Sequence, residues 1–335
     1  MRAAAAALTL VLAAPARATW GIVLINHETR EVGVACATCI ENVDLVPELP
    51  CVRPGLGVGN VQAWWDFNGS RRQTMWDGFG AGKSAAQVLY DLRELPQHQL
   101  YQFGIATFAG PPVTYTGPTA GDGKCGLAGS WGPWSWAIQG NLITGEAVCL
   151  AAQQAILDTP GDMAARLLAA MEAARDMGGD GRCSCDPLDP TGCGAPPPNF
   201  TKSAHTAFLI VARVGDEEGA CAASGCANGA YYLLRKAVGD WSDVDPVTEL
   251  SGKVAKWRDK QKGKPDHILS EVHVDRQRLV ADGISRATVT VLLRDIDGAA
   301  LGHGGDVITV TQASPGTPTA IPGPVTDHGD GSYSF

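Results

Sequence analysis

Thr19 stands where a signal peptidase would expose it. It follows MRAAAAALTLVLAAPARA, in which Arg2 gives a minimal positive start, Ala3 to Ala14 a short apolar run and Ala16-Arg17-Ala18 a small-x-small cleavage site. Cleavage after Ala18 would leave Thr19 with a free α-amine next to its hydroxyl. Nucleophile and base then share one residue, which in principle suffices for hydrolysis without a triad. The bland alternative is that Thr19 simply opens a strand. A second candidate is Asn141, in Gln139-Gly140-Asn141 between a strand and a helix. Its amide would donate to a developing oxyanion, or else it caps the turn.

Other patterns carry less. Gly78-Phe-Gly80-Ala-Gly82-Lys83-Ser84 imitates a phosphate loop, but Asp77 occupies the position that needs glycine, so it reads as a loop leading into a helix. The seven histidines form no i,i+4 pair, and there is no Gly-x-Ser-x-Gly elbow. Trp64, Trp65, Trp76, Trp131, Trp134 and Trp136 are concentrated in one stretch, as a sugar- or peptide-stacking cleft or as ordinary packing. The ten cysteines favour disulfides in an exported chain. Zinc is the rival for the group Cys183, Cys185, Cys193, Cys221 and Cys226, with His205 near, although that group contains no Cys-x-x-Cys. Cys36-Ala-Thr-Cys39 has redox spacing but sits at a strand end rather than a helix start.

Composition narrows the class. The chain has 335 residues, 45% apolar and 18% charged, as expected of a protein that can bury a core. Its net charge of −9 becomes −11 when residues 1–18 are removed with Arg2 and Arg17, which leaves little attraction for nucleic acid or anionic lipid. No apolar run reaches the ~20 residues of a membrane-spanning helix. The expected location is secreted or periplasmic.

The candidate residues must be held by the surrounding elements. Trp20–Asn26 and Glu31–Thr38 read as a hairpin, Leu56–Gln62 as a third strand, and Ser84 as the N-cap of a helix through Leu95 with Val88, Leu89, Leu92 and Leu95 on one face. Gly55, Gly57 and Gly59 alternate at the start of the third strand, a sign of close backbone approach. Tyr101–Thr107 pairs with Val113–Thr116, and Trp136–Gln139 is a short strand. Glu146–Asp158 and Gly161–Met177 are helices, Ser203–Arg213 and Gly229–Leu234 strands, and Val247–Lys260 a last helix. Paired strands, then paired helices, then strands predict an α+β fold with antiparallel sheets. The uniformly apolar strands predict sheets covered on both faces. After the charged linker at 261–268, Ser285–Arg294 and Val307–Gln312 alternate among turn clusters, an all-β pattern.

These residues resemble the bacterial family numbered 1028 among domains of unknown function, which looks like the N-terminal-nucleophile (Ntn) hydrolases. The ordered matches are Thr19-Trp-Gly-Ile-Val-Leu, Glu31-Val-Gly-Val-Ala, Pro54-Gly-Leu-Gly-Val-Gly-Asn-Val-Gln62, Gly82-Lys-Ser-Ala-Ala-Gln-Val-Leu, Tyr101-Gln-Phe-Gly, Trp136-Ala-Ile-Gln-Gly-Asn141, Ala165-Arg-Leu-Leu-Ala-Ala-Met-Glu, Gly178-Gly-Asp180 and Asp245-Pro-Val-Thr-Glu-Leu250. The resemblance implies a four-layer αββα sandwich of two antiparallel sheets and places Thr19 at the family's N-terminal threonine. It brings no substrate with it. The chain departs from the proteasome-like pattern, since Thr19 to Gly82 contains no lysine. Residues 269–335 resemble bacterial immunoglobulin-like domains of the invasin type through Val280-Ala-Asp-Gly-Ile-Ser-Arg-Ala-Thr-Val-Thr-Val, Asp295-Ile-Asp-Gly and Val325-Thr-Asp-His-Gly-Asp-Gly-Ser-Tyr. Phe335 falls in a late strand, so this sandwich reads as incomplete.

The expectation is therefore a signal peptide at 1–18, an Ntn-like domain at 19–260, a linker at 261–268 and a partial Ig-like domain at 269–335. Thr19 is the expected nucleophile of an amide hydrolase with a small-molecule or peptide substrate, Asn141 its oxyanion donor, and Gln62 and Asp180 its orienting groups. No metal or organic cofactor is implied. A homo-oligomer and a cell-surface ligand for the tail are compatible partners. The alternative is a non-catalytic binding protein on the same scaffold. The two part on geometry: catalysis needs Thr19 at the floor of an open cleft with Asn141 in reach, whereas a sealed Thr19 favours binding.

Overall fold

The structure is a computed structural model that describes residues 19–280, 282–311 and 322–335. The expected signal peptide at 1–18, Ala281 and Gln312 lie outside the described residues. The chain forms two compact units, one ending at Lys253 and one beginning at Val254.

The first unit is built on two antiparallel sheets. It opens with β1 (Thr19–Asn26), β2 (Val32–Thr38), β3 (Pro50–Arg53) and β4 (Gly57–Gln62), followed by α1 (Ser70–Gly80) and α2 (Ala85–Glu94). Then come β5 (Gln102–Thr107), β6 (Val113–Thr116), β7 (Cys125–Trp131) and β8 (Trp134–Asn141). The helices α3 (Ala147–Asp158), α4 (Met163–Asp176) and α5 (Gly181–Ser184) lead into β9 (Thr206–Ala212), β10 (Leu233–Val238) and α6 (Pro246–Asp259). The large sheet runs β10-β9-β2-β1-β8-β7 and the small one β3-β4-β5-β6.

The β1 residues TWGIVLIN are all buried because both faces of the strand are covered, as its unbroken apolar run predicts. Val23 and Ile25 point into a core shared with Val52 and Val58 of the small sheet. On the outer side of the small sheet, α1 supplies Met75 and Phe79, and a Cβ at Gly59 would lie 2.5 Å from the Met75 sulfur. A Cβ at Gly33 of β2 would lie 2.6 Å from Leu167 of α4, which packs on the large sheet. Glycine is what lets the backbones come this close, as the alternating glycines before and within β4 signalled.

Several expectations need correction. Gly78 and Gly80 form the last turn of α1, not a loop. Ser84 does cap α2, in a reciprocal capping box with Gln87. The strand expected at Trp136–Gln139 is the middle of an eight-residue strand hairpinned to β7, which the sequence reading omitted. The strand expected at Gly229–Leu234 forms later, at Leu233–Val238.

The second unit carries an antiparallel sheet in the order β11-β12-β14-β13. Its strands are β11 (Glu271–Val274), β12 (Val289–Leu292), β13 (Thr326–Asp327) and β14 (Ser332–Ser334). Val291 pairs with both Val272 and Tyr333, and Tyr333 is buried. Residues 307–311 form no strand, contrary to expectation.

Candidate functional site

The first residue of β1 meets the last residues of its two neighbours in the large sheet. Thr19 is the register partner of Asn141 at the end of β8. Opposite residues of an antiparallel pair carry their side chains on the same face. On the other side, the Thr19 hydroxyl lies 3.5 Å from that of Thr38, the last residue of β2, at the long limit of a hydrogen bond. Gly21, two residues on, faces Asn60, Gln62 and Gln139, so this face of β1 looks toward the small sheet.

Gln62, the last residue of β4, reaches across the core. Its amide nitrogen donates to the Thr19 carbonyl at 2.8 Å and to Gln102 Oε1 at 2.9 Å, with a longer approach of 3.3 Å to the Gln139 carbonyl. Its own Oε1 accepts from Asn60 Nδ2 at 2.7 Å. The Gln102 amide in turn donates to the Gly140 carbonyl at 2.7 Å and to Thr116 Oγ1 at 3.0 Å. Asn60, Gln62, Gln102, Gln139 and Asn141 are all buried. A polar layer thus joins the two sheets, and its groups need one another because no bulk water reaches them.

Asp180 stands one step away. Its Oδ2 accepts from the Cys39 N–H at 2.7 Å and from Arg182 Nη2 at 2.8 Å, and its Oδ1 accepts from the Arg182 N–H and Nε at 3.1 Å each. It therefore fixes the residue that follows Thr38, and it caps α5. All four sequence candidates converge on one end of the unit. Thr19, Asn141 and Gln62 are direct neighbours, whereas Asp180 acts through the backbone of Cys39.

Sequence reasoning missed the cover. Thr19 lines a cavity of about 10 Å³, room for about one water, together with Ile40, Leu45, Leu49, Ala63, Trp64 and Trp65. Thr19 is 3% exposed. Two residues flanking the site hold left-handed backbone without being glycine: Ala63 (φ 73°) directly after Gln62, and Leu142 (φ 50°) directly after Asn141. Each such residue costs on the order of 1–3 kcal/mol. A strand-ending Thr38 and an Ala-Trp-Trp following β4 were visible in the sequence, but nothing local tied them to Thr19.

The tryptophans do not form one cleft. Trp64 and Trp65 line the Thr19 cavity, Trp131 is exposed, and Trp136 is buried with its indole donating to Gln153 at 3.2 Å. The cysteines form the disulfides Cys39–Cys183, Cys125–Cys149, Cys185–Cys193 and Cys221–Cys226, with Cys36 and Cys51 buried and reduced. Burial pushes both free thiols up, so neither is a nucleophile at neutral pH. The donor atoms of Cys39, Cys183 and His205 lie within 4.8 Å of one another. The disulfide takes both sulfurs out of service as thiolate ligands, leaving His205 as a single donor. Burial and the nearby Lys202 lower the His205 pKa. Lys202 Nζ lies 3.4 Å from His205 Nδ1, and the His205 N–H donates to the Thr38 carbonyl at 2.8 Å. Lys202 thus contacts the ring of the residue whose backbone binds Thr38, and it lies outside Thr19–Gly82, the stretch without lysine.

No described helix is long and apolar enough to cross a membrane. Residues 19–185 match the model of a family of unknown function, DUF1028, and residues 266–335 match that of invasin domain 3. Among solved structures, the crystal structure of protein SPO2555 from Silicibacter pomeroyi, of the same DUF1028 family, is similar, with a TM-score of 0.52 and 16% identity over 71% of this chain and 85% of that one. At that identity the likeness speaks for the fold. No curated protein matches the chain.

Proposed function

From a chain whose residues 19–185 belong to the DUF1028 family, we propose an exported hydrolase of Ntn type that cleaves an amide through Thr19 after processing at Ala18. In this reading the two facing sheets with their covering helices form an αββα sandwich at 19–260, and the tail at 269–335 is an Ig-like module joined by the linker at 261–268. The observation that carries the proposal is the meeting of Thr19, Asn141 and Gln62 at three strand ends, two of them followed by strained non-glycine residues. Backbone strain of this kind concentrates at functional sites.

Processing would convert the Thr19 N–H into an amine with a reference pKa of ~7.7–8.0. That amine takes the hydroxyl proton as Oγ1 attacks the substrate carbonyl. Asn141, on the same face, donates to the oxyanion in this reading. Collapse passes the proton to the leaving amine and leaves an ester on Thr19, which water then hydrolyses. Gln62 grips the Thr19 carbonyl and so limits the swing of the new terminus. The cover over Thr19 must lift to admit substrate, because the cavity beneath it is too small.

Intact-mass and N-terminal analysis of the secreted protein, followed by an acyl-anilide and peptide screen, tests this reading. A Thr19 N-terminus with turnover lost in Thr19→Ala and partly kept in Thr19→Ser is expected. Processing at another bond, or full turnover by Thr19→Ala, refutes it.

The burial of Thr19 favours a second reading, a non-catalytic secreted or cell-surface binding protein on the same scaffold, continued in the chain by the invasin-like tail. Correctly processed protein that turns over no amide in the screen would support it.

A further inference from the structure

A larger cavity, about 310 Å³, shares no lining residue with the Thr19 cavity. It lies where α4 ends and α6 begins, and its size is at the lower end for small-molecule sites. Its rim is apolar and solvent-facing: Trp241 is 56% exposed and Val244 63%. Its floor is polar and buried, with Lys202 and Asp245 both nine-tenths or more covered.

The loop that presents Trp241 is pinned from several sides. Asp240 Oδ1 accepts from the Ser242 N–H at 2.8 Å, Asp243 Oδ2 accepts from the Asp240 N–H at 3.0 Å, and the Lys202 ammonium donates to the Asp240 carbonyl. The His205 ring meets Trp241 edge-on, with centroids 4.5 Å apart. The floor is equally fixed, since Asp245 accepts from both the Ser203 N–H and hydroxyl at 2.7 Å and from the Val247 N–H at 2.9 Å. A half-exposed indole on a rigid loop costs a ligand little ordering entropy.

The unused hydrogen-bonding capacity defines the ligand. Lys202 Nζ donates to the Asp240 carbonyl and lies 3.4 Å from His205 Nδ1, which leaves at least one of its three N–H donors. Thr201 and Thr248 line the cavity with exposed hydroxyls that have no partner among the described residues. The charges of Arg175 and Lys202 are matched by those of Asp243 and Asp245, and Arg175 is already paired with Asp245 at 3.4 Å. The cavity is thus balanced in charge and offers no net attraction to an anion. An apolar wall beside hydroxyls and one ammonium donor fits a ring with C–H groups on one face and hydroxyls on its edge.

We infer that this cavity binds a neutral saccharide ring, stacked on Trp241 and Val244, with its hydroxyls on Lys202, Thr201 and Thr248. The inference is independent of any chemistry at Thr19.

The test uses the full chain labelled with ¹⁵N. The indole N–H signals are followed during titration with glucose, galactose, mannose, N-acetylglucosamine, maltose and cellobiose, with glucuronate and inorganic phosphate as anionic comparators. The Trp241 signal is identified by its absence in Trp241→Ala. At least one neutral sugar should shift it with saturation, and the comparators should shift it less. Trp241→Ala and Thr248→Ala both replace exposed residues, and the dispersion of the remaining ¹⁵N signals checks that each variant is folded. Each should weaken binding about tenfold or more, read for Trp241→Ala by calorimetry. A Trp241 signal unmoved by every neutral sugar overturns the inference. So does a preference for glucuronate or phosphate, or unchanged affinity in Trp241→Ala.

Discussion

The amide of Gln62, at the end of β4, donates to the main-chain carbonyl of Thr19 at 2.8 Å, so a side chain of the small sheet holds the first residue of β1 in the large one. The same amide donates to Gln102 Oε1, and Gln102 donates onward to the Gly140 carbonyl beside Asn141. Replacing Gln62 with leucine strips buried acceptors of their donor while keeping most of the volume. Gln62→Leu should lower stability by about 1–3 kcal/mol. The loss would appear as a reduced urea midpoint at unchanged slope, and an unchanged midpoint would show that the layer adds nothing.

Two glycines should respond to alanine in opposite directions. A Cβ at Gly104 would lie 2.1 Å from Gln139 Oε1, so Gly104→Ala must displace that amide, at about 1–3 kcal/mol. Gly252 lies inside α6 with nothing within 4 Å of an added Cβ. Gly252→Ala should stabilise by about 0.5–1 kcal/mol. Thermal or urea unfolding of the two variants side by side checks the contrast.

Asp66 is the buried partner of two arginines. It accepts from the Arg71 N–H at 3.1 Å and the Arg72 N–H at 3.0 Å, and pairs with both guanidinium groups. Arg72 is fully buried. Asp66→Asn leaves that cation uncompensated and should cost about 3–5 kcal/mol, the range for breaking a buried pair from one side. Equilibrium unfolding of the variant measures it.

Acid should weaken the first unit through His205. Burial, then Lys202, lower its pKa below the ordinary 6.5, so between the folded and unfolded values the unfolded chain binds more protons. Stability then rises with pH across that window. The contribution is complete above about 6.5 and is lost as pH falls below it. His205→Gln should flatten this part of the pH–stability curve, and a curve of the same slope would remove His205 as the cause.

Thiol counting checks the cysteine pairing. Unreduced protein unfolded in guanidinium should titrate two thiols, Cys36 and Cys51, and native protein none, because both are buried. A higher count in the denatured, unreduced protein would mean that one of the four bridges is open.

Much of the fold was legible because local rules suffice for it. The apolar runs of β1 and β2, the Ser84–Gln87 cap and the stripe of Val88 and Leu92 on α2 are written in neighbouring residues. Helix α1 was not legible. Its buried face includes Arg71 and Arg72, which no apolar periodicity marks, and they are buried only because Asp66 folds under them. The two-residue gap that joins β7 to β8 was hidden for a related reason, since most of β7 is exposed and carries little apolar signal.

The sequence alone determined that Thr19 follows a short apolar run ending in Ala16-Arg17-Ala18, that hairpins precede paired helices, and that glycines mark close packing. Only the tertiary structure decided that Asn141, Gln62 and Thr38 end beside Thr19 and that Ile40, Leu45, Trp64 and Trp65 line a cavity with it. Register and burial belong to pairs of segments far apart along the chain. No window of neighbouring residues carries that information, however clearly it states its own secondary structure.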